Sequence, residues 1–80
     1  MAEKVIRLVV AFNTTTAAIS MEKGCKEAGL EGRLIPVPRQ ISSSCGLAWM
    51  APLESREALE GFTADKKIDT AGWYEIEFNA

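Results

Sequence analysis

The sequence has no histidine and only two cysteines. A Cys-His or Ser-His catalytic pair therefore cannot be assembled from this chain alone. Two cysteines without histidine also fall short of the four ligands that a structural zinc site needs within one subunit. Neither GxGxxG nor GxxxxGKS/T occurs, so the familiar nucleotide loops are missing. Lysine and arginine form no run or stripe, and the net charge is −2. With a pI of about 5.1, nucleic acid is excluded as a main partner. Long apolar runs are absent too. The stretch Leu8-Val9-Val10-Ala11-Phe12 is far short of the ~20 residues that span a bilayer. It is also too short for a signal-peptide core, and no small-residue cleavage site follows it. The expected location is the cytoplasm, with no membrane partner. There, two cysteines stay reduced, which favours a thiol with chemistry over a structural disulfide.

What remains is an ordinary globular composition of 80 residues, 48% hydrophobic and 25% charged. That is too apolar for disorder and enough for one domain, residues 1–80. A chain of this size buries only about 60–65% of its unfolded surface, so the core must be compact and a homodimer would help.

Alternation predicts a strand over Val5–Phe12, with Ile6, Leu8, Val10 and Phe12 on one face and Val5, Arg7, Val9 and Ala11 on the other. Asn13-Thr14-Thr15-Thr16 supplies helix-capping residues. The helix that follows runs to about Ala28, with an apolar stripe of Ala17, Met21, Cys25 and Ala28 and Gly29 placed to end it. Gly24 weakens it somewhat. A second strand, Gly32–Val37, is shortened by Pro36 and Pro38, and Pro36 suggests an edge position. Residues 38–44 are loop. A third strand covers Gly46–Ala51, closed by Pro52. The second helix starts near Leu53 or Glu54 and buries Ala58, Leu59 and Phe62. Gly61 and Thr63 soften its end, and Asp65-Lys66-Lys67 reads as a solvated turn. In the last strand, Gly72–Phe78, Tyr74, Ile76 and Phe78 face away from Trp73, Glu75 and Glu77. The order β-α-β-β-α-β predicts an α+β, ferredoxin-like fold: a four-stranded antiparallel sheet with two helices on one face.

The unusual segment is Pro38-Arg39-Gln40-Ile41-Ser42-Ser43-Ser44-Cys45-Gly46. Serines favour side-chain to backbone hydrogen bonds and hence turns. Gly46 permits a positive φ or close backbone approach. Backbone N–H groups of such a loop converge into an anion-binding concavity, and a cysteine at its edge has its thiolate stabilised there. Arg39 adds positive potential if it folds back. The bland alternative makes Cys45 a small apolar residue at a strand start. Cys25 reads as core, Arg33 and Arg39 as surface residues, and Trp49 and Trp73 as packing residues.

Arg33-Leu34-Ile35-Pro36-Val37-Pro38-Arg39, followed by Ile41-Ser42-Ser43-Ser44-Cys45-Gly46-Leu47-Ala48, resembles the small bacterial family described as selenium/sulfur carrier protein-like. The resemblance extends from Val5 to about Ile76. It implies a carrier rather than a stand-alone enzyme, holding sulfur or selenium as a persulfide or selenopersulfide on Cys45. It implies a donor protein such as a cysteine desulfurase, an acceptor protein, and no metal or cofactor. The polar segment from Thr63 to Thr70 is longer than the family layout leads one to expect, and Cys25 lies outside its motif, which leaves a second redox cysteine conceivable.

Two other functions fit the residues. Ser42, Ser43, Ser44 and Gly46 with Arg39 form a binding module for a small anion or metabolite, in which Cys45 is incidental. Alternatively the open sheet face around Val5, Val9 and Trp73 serves a homo-oligomeric interaction domain.

Overall fold

The first strand, β1, spans Lys4–Ala11 in the computed structural model, which describes residues 4–41 and 45–79. Leu8, Val9, Val10, Ala11 and Phe12 are fully buried although their side chains alternate between two faces. β1 is therefore a central strand with apolar cover on both sides at this end. Ile6, expected in the same buried row, is 51% exposed. It sits nearer the opposite end of the strand, where the cover runs out.

Helix α1 follows at Thr15–Ala28. The Thr14 hydroxyl accepts the Ala17 N–H at 3.1 Å, and Gly29 closes the helix in the left-handed conformation. Ala17, Ala18, Met21 and Cys25 are its buried stripe. Ala28 points the same way round the helix but is exposed, because it lies in the last turn where the chain leaves for Gly29.

Strand β2 is Arg33–Pro36 and strand β3 is Leu47–Pro52. A short 3-10 turn, Leu53–Ser55, leads into helix α2, Arg56–Lys66, and strand β4 covers Gly72–Asn79. α2 buries Leu59 and Thr63, with Phe62 partly covered. Ala58, expected on that face, is exposed, being about a quarter turn round from Leu59. The expected soft end at Gly61 and Thr63 is also corrected. The helix continues to Lys66, the Thr63 hydroxyl donates to the Glu60 carbonyl at 3.1 Å, and only Lys67 turns left-handed at φ 55°.

All four strands pair antiparallel in the order β2-β3-β1-β4. Two helices on one face of such a sheet make the ferredoxin-like α+β fold that the element order predicts. Pro36 lies on an edge strand, as its missing N–H requires. On the helix face, Leu8, Val10, Phe12, Trp49 and Ala51 meet Ala17, Ala18, Met21, Cys25 and Leu59. On the other face, Val9, Ala11 and Ala48 are covered by Ile41, with Ile35, Val37, Ile76 and Phe78 partly buried around them.

The register overturns one expectation. Val10 faces Trp49 on β3 and Trp73 on β4, so Trp73 lies on the helix face and packs against that core. It does not join Val5 and Val9. Tyr74, Ile76 and Phe78 are the β4 residues on their side, opposite Val9, Arg7 and Val5. Glu75 and Glu77 share the Trp73 face, where Arg56 lies 3.5 Å from Glu75 and Lys4 lies 3.2 Å from Glu77. These exposed pairs contribute little to stability.

Cys25 is sealed in the helix-face core, and burial pushes its thiol up from 9.0 to about 11. The unfolded chain loses this proton near its ordinary value, whereas the folded protein keeps it to about pH 11. The folded state thus binds more protons between those limits, and stability falls as pH rises through that window. Urea titrations of wild type and Cys25→Ala at stepped pH should show wild type losing on the order of 2–3 kcal/mol more than the variant between about pH 9 and 11. Parallel curves for the two proteins would show that the thiol carries no such coupling.

Candidate functional site

The loop that joins β2 to β3 is built as an extension of their hairpin. The Val37 N–H donates to the Gly46 carbonyl at 2.9 Å, which closes the loop at its base. Within it, the Ile41 N–H donates to the Pro38 carbonyl at 3.0 Å, a turn that suits proline at its start. The turn drives Ile41 down onto Val9, Ala11 and Ala48, leaving it 5% exposed. Gly46 takes φ 72°, a conformation that favours glycine, and from it the chain enters β3.

Cys45 lies at the other foot of this loop. Its side chain is half-buried against the helix-face core, so Ile41 and Cys45 engage opposite faces of the sheet. Its S–H donates to the Phe12 carbonyl at 3.2 Å, and the sulfur is 3.7 Å from the Leu47 carbonyl. Phe12 is the residue between β1 and the Asn13–Thr14 cap of α1, so the thiol sits at the strand-to-helix junction. Neighbouring backbone is tied down at the same end of the sheet. The Ala71 N–H donates to Ala11 at 2.7 Å, the Asn13 amide donates to Asp69 at 3.3 Å, and the Trp73 indole donates to Thr70 at 3.3 Å.

The sequence-derived site residues are thus brought together unevenly. Cys45 and Gly46 are adjacent at the loop base. Arg39 is exposed in the Pro38–Ile41 turn and forms no ion pair with a described residue. Ser42, Ser43 and Ser44, and with them the expected anion-binding concavity, lie outside the described residues. The contacts to Cys45 within the described part are carbonyl oxygens rather than N–H groups. Among the described residues, no group of three or more His, Cys, Asp or Glu is arranged to hold a metal ion. Sequence reasoning missed Phe12 as the sulfur's partner and Ile41 as the loop's anchor. The signal for Ile41 was present: a lone branched apolar residue between Gln40 and Ser42 has nowhere to go but inward.

Two outcomes follow for the thiols and their support. Alkylation of the native protein, followed by peptide mass, should label Cys45 well before Cys25; the reverse order would contradict the burial of Cys25. Ile41→Ala should cost about 2–4 kcal/mol in a denaturant titration, as for other buried isoleucines, and should quicken alkylation at Cys45 by loosening the loop. An unchanged labelling rate would mean that Ile41 does not hold the sulfur in place.

Comparison with known proteins adds a single match. None of the curated proteins and none of the solved structures matches the chain. The family model described as Putative Se/S carrier protein-like matches residues 7–75, which takes in β1 through most of β4 and the whole Cys45 loop. The chain belongs to this Se/S carrier protein-like family.

Proposed function

We propose that the protein carries sulfur or selenium as a persulfide or selenopersulfide on Cys45, passing it from a donor such as a cysteine desulfurase to an acceptor protein in the cytoplasm. The observation that carries this reading is the contrast between the two thiols. Cys25 is sealed in the core and holds its proton to about pH 11. Cys45 is half-buried at the foot of a surface loop inside the segment that the family model spans.

The chemistry is thiol exchange. The Cys45 thiolate attacks the outer sulfur of the donor's persulfide. The donor's S–S bond breaks, a new S–S bond forms on Cys45, and the donor leaves as a thiolate. An acceptor thiolate then attacks the same outer sulfur, and Cys45 is released as its thiolate. Each step moves one sulfur atom and neither consumes an oxidant. This chain has to present a thiol that a partner can reach, on a loop held by a rigid scaffold. The bond from Cys45 to the Phe12 carbonyl orients the resting thiol and is given up when the sulfur reacts. Arg39, exposed on the same loop, serves as a contact for a partner carboxylate. Gly46 and the three serines shape the loop around the sulfur.

Intact mass after incubation with a desulfurase and cysteine tests the reading. Wild type should gain the mass of one sulfur atom, reversed by dithiothreitol. Cys45→Ser should gain none while keeping the wild-type circular dichroism. Arg39→Ala should load several-fold more slowly, the scale of one charge-assisted contact. A sulfur adduct found on Cys25, or none at all with several desulfurases, would end the carrier proposal.

A further inference from the structure

Helices α1 and α2 lie side by side over the sheet, yet they touch closely at one place. A Cβ at Gly24 would come within 2.4 Å of the Phe62 ring, so the ring rests on the bare glycine backbone. This explains a glycine in the interior of α1, where it costs helix stability. On the exposed side of that contact a cleft of about 530 Å³ runs between the helices. A volume of this order suits a small metabolite.

The lining is chemically sorted. Ala17, Gly24, Phe62 and Ile68 give it an apolar floor, and Thr16 and Ser20 place hydroxyls along the α1 wall. Lys23, Lys66 and Lys67 supply three ammonium groups. None of them pairs with a carboxylate among the described residues. The acidic lining residues are Glu27 and Asp69, and Asp69 already accepts the Asn13 amide at 3.3 Å. The balance at the walls is one positive charge in excess. The first turn of α1, which opens on the cleft at Thr14 and Thr16, carries no acidic residue, so its N–H groups add to the positive potential. The left-handed turn at Lys67 ends α2 here and leads the chain into Ile68 and Asp69, which close the cleft at that end.

We infer that this interhelical cleft binds a small amphipathic anion, with a flat apolar body on Phe62 and Gly24 and a carboxylate, sulfonate or phosphate held by Lys66, Lys67 and the Thr16 and Ser20 hydroxyls. The site is separate from the thiol and does not rest on sulfur carriage. An anionic head alone would find only exposed lysines, each worth little. A purely apolar ligand would leave the ammonium groups and hydroxyls partly desolvated and unpaired. Only a ligand with both parts uses both walls.

The full-length protein, isotopically labelled, can be titrated with anilinonaphthalene sulfonate and followed by amide NMR. Saturable shifts are expected at Ala17, Ser20, Gly24, Phe62, Lys67 and Ile68. The double substitution K66E/K67E should weaken binding about tenfold, the scale of a lost charge-assisted contact. Ser20→Trp, at an exposed position, should fill the cleft and abolish binding, whereas Cys45→Ser should bind as wild type. Inorganic sulfate should compete only at much higher concentration. Shifts centred instead on Tyr74, Ile76 and Phe78, unchanged affinity in both cleft variants, or sulfate binding as tightly as the aromatic sulfonate would each overturn the proposal.

Discussion

The structure depends on one stretch of β1 that is buried on both faces. Leu8, Val10 and Phe12 root the helix-face core, while Val9 and Ala11 root the smaller cluster behind the sheet. A sheet with helices on only one side is usually wet on the other. Here five consecutive residues have no exposure, so something other than a helix has to cover the back. The loop after β2 does so, through Ile41. Stability and the shape of the candidate site are therefore the same problem: the loop that carries Cys45 is also a lid on part of the core.

That arrangement fixes a thiol without burying it. Ile41 anchors one limb of the loop, and the Val37 to Gly46 hydrogen bond ties its base. Cys45 then meets Phe12 at the end of the most deeply buried strand. The sulfur borrows the rigidity of the central strand while keeping part of its surface open. Cys25 shows the opposite solution. It is wholly enclosed, and its raised proton affinity follows from lost solvation alone.

Much of this was legible in the sequence because it is periodic. The alternation of β1, the threonine cap before α1 and the glycine after it each predict an element that is present, and Pro36 predicts an edge strand. Periodicity gives a face its members but does not say which way the face points. Trp73 was placed on the open side for that reason, and only its pairing with Val10 puts it under the helices. Ala28 and Ala58 fail differently: alanine is small enough for either environment, so its neighbours along the axis and round the helix decide. At the site, Cys45 stands out by its polar surroundings, but its partner Phe12 is 33 residues away in the chain. No local pattern encodes such a contact.

Pro36 has a consequence for how this sheet meets other sheets. Val37 directs its N–H inward to Gly46, so by alternation the nitrogen of Pro36 faces outward, away from β3. The ring therefore costs the internal ladder nothing. An incoming strand, however, would find a four-residue edge with one of its outward donors missing. Open-ended addition of copies along that side is blocked by a single covalent ring, at the very edge from which the cysteine loop departs.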